Sequence, residues 1–285
     1  MLSRNLKPYF EAFPYALILI LIVGVPIGTL VTISFWETDG LMLYPGFTLE
    51  NYKEIFTSKL TLTLYMSSIK YTLLTLAISM IIGFVCSYFL VFFVKSLKIQ
   101  IGLFLVCTIP FWTSTTIRMI SWVPFLGKEG VFNTAIQGIG LTDQPLEFLL
   151  FSDFAVVLTY VHLFTLFMIV PIFNSMSKIS PSVIEAAKDA GATDFDVLVN
   201  IIIPLTKTGI ALGSIFVVAL VMGDFFVVRV MSGGQSASVV SAMKNEIDQL
   251  YYPQAAAMAV LLIAVVLIFV TLIMRVVDIR AELAR

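Results

Sequence analysis

Pro181-Ser-Val-Ile-Glu185-Ala186-Ala187-Lys-Asp-Ala-Gly191-Ala-Thr193-Asp194-Phe-Asp196, running on to Ile203-Pro204-Leu205, is the stretch whose reading decides the fold. Its four acids, Glu185, Asp189, Asp194 and Asp196, stand in a chain that is otherwise apolar from end to end. The spacing predicts two short helices with a break between them. Ser182 and Glu185 have the Ser-x-x-Glu spacing in which hydroxyl and carboxylate satisfy orphan amides at a helix start. Pro181 suits the first turn equally well if Ser180 is the cap. Gly191 is placed to end the first helix in a left-handed conformation. Thr193 is placed to cap the second, which Pro204 is expected to terminate.

Outward from this insert the chain reads as membrane protein. Hydrophobic residues make up 59% of the 285 positions and charged ones 12%, about half the charge fraction of a soluble domain. Mean hydropathy is +1.01. The apolar runs predict six transmembrane helices, at about residues 14–36, 71–94, 99–122, 154–175, 205–231 and 254–277. The expected architecture is thus an all-α membrane protein, a single transmembrane domain over 1–285, with the polar loop 178–204 between the fourth and fifth helices. The first run is too long for a signal-peptide core and reads as an uncleaved span. Gly24 and Gly28 within it form a small-xxx-small pair suited to close helix approach.

An even number of up-and-down helices puts both termini and the insert on one side. That side carries Arg4, Lys7, Lys95, Lys98, Lys178, Lys188, Lys207, Arg275, Arg280 and Arg285. The other carries Lys53, Lys59, Lys70, Lys128 and Lys244. The two-to-one bias predicts cytoplasmic termini and a cytoplasmic insert. Trp36, Tyr65, Trp122, Tyr251 and Tyr252 fall at the expected outer ends. No basic run points to nucleic acid. Cys86 and Cys107 both lie in apolar spans, and His162 is the one histidine, so neither a disulfide framework nor a metal centre is expected.

Glu185-Ala186-Ala187-x-x-x-Gly191, followed by Ile201-x-x-Pro204-Leu205, resembles the EAA loop of ABC importer permeases. Pro110-Phe-Trp112-Thr113, Arg118, Trp122, Gly130, Asn133 and Gly140 narrow the resemblance to the membrane subunits of spermidine/putrescine importers, as do Gly223-Asp224-Phe225 and Gly233-Gly234. It covers about residues 10 to 280. One departure is Arg229, where many relatives carry a proline. The resemblance implies a bacterial inner-membrane permease importing a polyamine or related organic cation. It implies an ATPase-coupling role for Glu185, Ala186, Ala187, Gly191 and Pro204, docked on a cytoplasmic ATPase dimer. It further implies a second permease subunit, a paralogue, and a periplasmic substrate-binding protein. The chain has no Gly-x-x-x-x-Gly-Lys-Ser/Thr stretch, so no cofactor is expected here, ATP and Mg belonging to the partner ATPase.

Ionisable groups inside spans are functional candidates by default. Asp224 has two readings: its carboxylate coordinates a substrate ammonium, or it pairs with Arg229 or Arg118 and leaves no charge for a substrate. Phe225 and Trp112 are candidate aromatic faces for a cation, against ordinary packing. Arg118 reads first as a snorkelling or structural arginine and second as a substrate contact. The outer loops are rich in Asp and Glu, which favours a cationic solute or a docking partner. Rival readings are another substrate of the same importer class (an opine, betaine or phosphonate), a secondary transporter, which would show internal repeats, and a membrane enzyme, for which no catalytic cluster is present.

Overall fold

The computed structural model describes residues 7–40 and 42–276; Arg4, Arg280 and Arg285 of the cationic census lie outside them. Helix α1 covers Ala12–Ile33. A two-stranded antiparallel hairpin, β1 (Glu37–Thr38) and β2 (Leu43–Tyr44), follows, then α2 (Glu50–Thr57). Helix α3 spans Lys59–Phe93, α4 Leu97–Trp112 and α5 Thr115–Gly138, the last in three short helical pieces. Helix α6 is Asp153–Met176, α7 Pro181–Asp189, α8 Asp194–Met222, α9 Phe226–Met231, α10 Val239–Asp248 and α11 Tyr252–Arg275. Five of these helices are long and apolar enough to cross a membrane, or six elements if α4 and α5 count as one bent span.

Four boundaries differ from the sequence expectation. The second apolar helix starts at Lys59, not near 71, because Ser58 turns extended and its hydroxyl accepts from the Thr61 amide at 3.2 Å. The segment expected as one span over 99–122 bends by 93° between α4 and α5. Pro110 there sits in a 3-10 turn, and Thr113 leaves it extended. Pro204 does not terminate the second insert helix. A π-helical stretch, Leu198–Ile202, precedes it, and the wider i→i+5 winding absorbs the missing proline donor. α8 therefore continues unbroken for 29 residues. At its far end the helix stops at Met222, so the fifth run is interrupted by Gly223-Asp224-Phe225 before α9.

The described chain divides into two compact units. In the first, residues 12–63 with 239–264, Asn51 Nδ2 donates to the carbonyls of Ser34 and Trp36, each at 2.9 Å, and Ser34 Oγ lies 2.7 Å from Tyr52 Oη. These bonds tie α2 to the end of α1. Along α1 itself, a Cβ added at Gly28 would meet nothing within 4 Å, so among the described residues no other helix packs on the small-residue face there.

The second unit, residues 64–238 with 265–276, holds the main core. One face of α6 (Val156, Tyr160, Leu163, Met168, Ile172 and Met176) is fully or nearly fully buried and packs with Val217 and Val221 of α8. Glycines set the distance between these helices. A Cβ at Gly209 would lie 2.4 Å from the Pro171 carbonyl oxygen, and one at Gly213 2.7 Å from Met168 Sδ. Gly83 of α3 approaches the same methionine, where a Cβ would be 2.6 Å from Met168 Cγ. Small residues at this spacing let backbones touch where lipid gives no hydrophobic drive.

Candidate functional site

The insert is built from two helices held at a fixed angle by a heavily bonded turn. Gly191 has φ +88°; the Ala192 amide donates to Ala187 O at 3.0 Å and the Gly191 amide to Lys188 O at 2.9 Å. This is the Schellman pattern, which favours glycine at the left-handed position. The capping box lies on the second helix, not the first. The Asp196 amide donates to Thr193 Oγ1 at 3.2 Å and the Thr193 amide to Asp196 Oδ2 at 2.9 Å. The first helix starts with Pro181 in its first turn and no side-chain cap; Ser180 and Ser182 instead bond each other at 2.7 Å. Lys188 and Asp194 close the turn with a 2.8 Å ion pair. That carboxylate, as hydrogen-bond acceptor and neighbouring charge, raises the lysine's proton affinity.

Of the coupling candidates, Glu185 and Ala186 are exposed, whereas Ala187 is half-buried. Ile184 and Ala187 pack inward on the core of the same unit, so most of the apolar stripe of α7 is spent on the chain itself. Val183 stays outside at 42% exposure. Sequence reasoning missed Phe195, which projects 71% exposed from the capped turn; an aromatic between two aspartates was the available signal. Pro204 sits inside the continuous α8.

The break at the other end of α8 positions Asp224. Its Oδ1 accepts from the Val227 amide at 2.9 Å, capping α9, and from Tyr160 Oη of α6 at 3.1 Å. Ser238 Oγ donates to the Asp224 carbonyl at 3.2 Å. Among the described residues no ion pair joins Asp224 to Arg229 or Arg118. Trp122 Nε1 donates to His162 Nδ1 at 2.9 Å, and Arg118 Nε is buried without a hydrogen-bond partner among the described residues. The structure thus keeps Asp224 and Phe225 together at the helix break, with no ion pair from Arg118 among the described residues. Trp112 stands 85% exposed at the end of α4, joined to Asp224 by no hydrogen bond or ring contact among the described residues.

Two further polar centres were not legible beforehand. Asp153, at the start of α6, accepts from Lys70 and Tyr71 of α3 and from Ser236 Oγ at 3.4 Å, which pins the loop after α9. Gly233, with φ +60°, sits so close to Phe151 that an added Cβ would lie 2.7 Å from its ring. Asn133, fully buried, donates to Gly127 O at 2.9 Å and accepts from the Leu146 amide at 2.8 Å. Among the described residues no cluster of three or more His, Cys, Asp or Glu would hold a metal.

A family model described as "Binding-protein-dependent transport system inner membrane component" matches residues 99–282. The spermidine/putrescine transport system permease protein PotB of Haemophilus influenzae is 31% identical over 231 residues, covering 80% of this chain and 79% of its own. PotB of Escherichia coli K12 is 29% identical over 227 residues, covering 79% and 81%. The inner membrane ABC transporter permease protein YdcU of the same organism is 25% identical over 263 residues, covering 85% and 83%. Among solved structures, a chain of the bacterial alginate ABC transporter, in complex with an alginate pentasaccharide-bound periplasmic protein, superposes with a TM-score of 0.74 at 16% identity, over 95% of this chain and 93% of that one. That likeness is one of fold. With the family model matching well over half of its length, and a relative above 30% identity along four-fifths of it, the chain belongs to the inner-membrane components of binding-protein-dependent transport systems.

Proposed function

We propose that this chain is a permease subunit of an ATP-driven importer for a spermidine- or putrescine-like polyamine. In this reading the insert and both termini face the cytoplasm. Glu185, Ala186 and the Gly191 turn couple to an ATPase dimer that holds ATP and Mg. A paralogous permease completes the pathway, and a periplasmic binding protein delivers the cargo. The observation that carries it is one element: α8 is a single 29-residue helix, with the capped turn at one end and the Asp224 break at the other. At about 1.5 Å per residue it joins two sites roughly 40 Å apart without an intervening hinge. A displacement received at the turn therefore reaches Asp224 as rigid motion.

At the break, the Asp224 carboxylate is held by one amide and one phenol and has no cationic partner within the described chain. An anion so placed is suited to meet a substrate ammonium in passage. Phe225 beside it adds an aromatic face. Likeness to two PotB proteins supports the polyamine as cargo. The test is reconstitution with both permeases, the ATPase and the binding protein, followed by ATP-dependent uptake of labelled spermidine. Asp224→Asn should assemble normally and lower uptake by an order of magnitude or more. Wild-type uptake by that variant removes Asp224 from the pathway, and no spermidine uptake by the wild type removes the cargo.

A further inference from the structure

After α9 the chain turns back on itself before α10 begins. Residues 232–238, Ser-Gly-Gly-Gln-Ser-Ala-Ser, form a strap that reaches both the head of α6 and the Asp224 break. Its two ends are buried: Ser232 is 0% exposed and Ser238 2%. Ser232 Oγ accepts from the Ser236 amide at 3.2 Å and donates to the Ser236 carbonyl at 3.0 Å, so the strap is braced on itself. Gly233 and Gly234, at φ +60° and +79°, make the reversal, in a conformation open to glycine at no steric cost.

Two aspartates receive the strap. Ser236 Oγ donates to Asp153 Oδ1 at 3.4 Å, on the carboxylate that also takes Lys70 and Tyr71 of α3. Ser238 Oγ donates to the Asp224 carbonyl at 3.2 Å, and Tyr160 of α6 holds the Asp224 side chain. One hydrogen-bonded chain thus runs from α3 through Asp153, the strap and Asp224 back to α6. Next to Ser232, Gly233 sits against Phe151: an added Cβ would lie 3.0 Å from Phe151 Cβ and 2.7 Å from its ring. Phe151 is itself left-handed, at φ +57°, where the Cβ of an L-residue crowds its own backbone. Such strain persists only where the surroundings hold it, and the strap packs on that ring.

We propose that residues 232–238 are a latch, which in this structure clamps the Asp224 break to the head of α6 and must let go of Phe151 and Asp153 before the far end of α8 can move. What it gives up there among the described residues is slight, one hydroxyl on Asp153 and one glycine against a ring. Opening also frees the left-handed Phe151 to relax. Both favour ready release. Ser236 is a positioning residue, acting on the Asp224 break only through the strap. The closed latch stands on these contacts alone; its place in transport rests on the function proposed above.

The test is a reversible crosslink. Disulfide-bonded Cβ atoms stand about 3.5–4.5 Å apart, so Gly233→Cys with Phe151→Cys, at 3.0 Å, needs only a small shift to close. The pair is made with Cys86→Ala and Cys107→Ala, in the importer reconstituted with second permease, ATPase and binding protein. Copper–phenanthroline oxidation should form the bond. The crosslinked importer should take up labelled spermidine slower by an order of magnitude or more and lose the stimulation of ATP hydrolysis by binding protein; reductant should restore both. A loop that only completes the fold would tolerate the bond. Ser236→Ala, which needs no cysteine, should raise ATP hydrolysis without binding protein about 2- to 10-fold, the worth of one hydrogen bond; Gln235→Ala, exposed in the same strap, should not. The proposal is overturned if the disulfide does not form, if the crosslinked importer works at the rate of the reduced one, or if Ser236→Ala hydrolyses ATP as wild type does. Should the wild type take up no spermidine while the crosslink still reversibly abolishes the stimulation, the cargo falls and the latch stands. Spermidine uptake indifferent to the crosslink does the reverse.

Discussion

Gly209→Ala is the substitution that tests most directly how α8 is held. The added Cβ would lie 2.4 Å from the Pro171 carbonyl oxygen and 2.6 Å from Ser175 Oγ. The hydroxyl can rotate away, but the carbonyl belongs to the backbone of α6 and cannot. Carbon–oxygen contacts of this kind settle at about 3.3 Å or more, so the helices must part by roughly 0.9 Å at this point. Overpacking of a filled interior costs about 1–3 kcal/mol, which corresponds to a melting point lower by about 2–12 °C at 2–4 °C per kcal/mol. Gly213→Ala meets mainly the flexible Met168 thioether, at 2.7 Å, and should cost less. Gly102→Ala meets nothing within 4 Å and should be neutral, or stabilising by about 0.5–1 kcal/mol. The assay is thermal unfolding of the purified protein in one detergent, with the three variants side by side. If Gly209→Ala melts within a degree of wild type, or the three do not rank in this order, the close approach of α6 and α8 is not what positions α8.

Gly191→Val forces a branched side chain to φ +88°, at about 1–2 kcal/mol. In the reconstituted importer it should leave ATP hydrolysis running while uptake falls; wild-type coupling would remove the turn from the mechanism. Asn133→Ala leaves the Leu146 amide without its acceptor, costing about 1–3 kcal/mol, and unfolding in detergent should show it. Asp153→Ala withdraws the carboxylate that accepts from Lys70, Tyr71 and Ser236. Amide exchange in residues 232–238 should then accelerate, and unchanged exchange would show that other contacts hold the loop.

The insert was legible because it is chemically unlike its surroundings. Glycine at the required left-handed position, and hydroxyl and carboxylate three residues apart at Thr193 and Asp196, announce a turn in any apolar chain. The capping box was nonetheless assigned one helix too early, since Ser182 and Glu185 have the same spacing and only backbone geometry separates the two. Pro204 misled for a similar reason. A proline reads as a stop, and the π-helical turn that carries α8 through it has no marker in the sequence. Whether Asp224 pairs with Arg118 turned on a detail no composition holds: the helix break turns its carboxylate onto the Val227 amide and the Tyr160 hydroxyl, and no ion pair to Arg118 forms among the described residues. The Gly209/Gly213 spacing was readable as a small-residue face and was passed over, while the Gly24/Gly28 pair, with the same spacing, finds no other helix against it among the described residues.

In the function proposed above, the glycine contact would make α8 a lever, with its fulcrum between Gly209 and Gly213, off centre. From there the arm to Asp194 is about 26 Å and the arm to Met222 about 17 Å, at 1.5 Å per residue. A sideways push of about 3 Å on the capped turn would then swing the Asp224 end about 2 Å the opposite way, a stroke comparable to the radius of a methylene group. The mechanical advantage runs toward force: the short arm moves less and pushes harder, by a factor of roughly 1.5. A helix pivoted there would be geared to pry a narrow passage open against packed side chains.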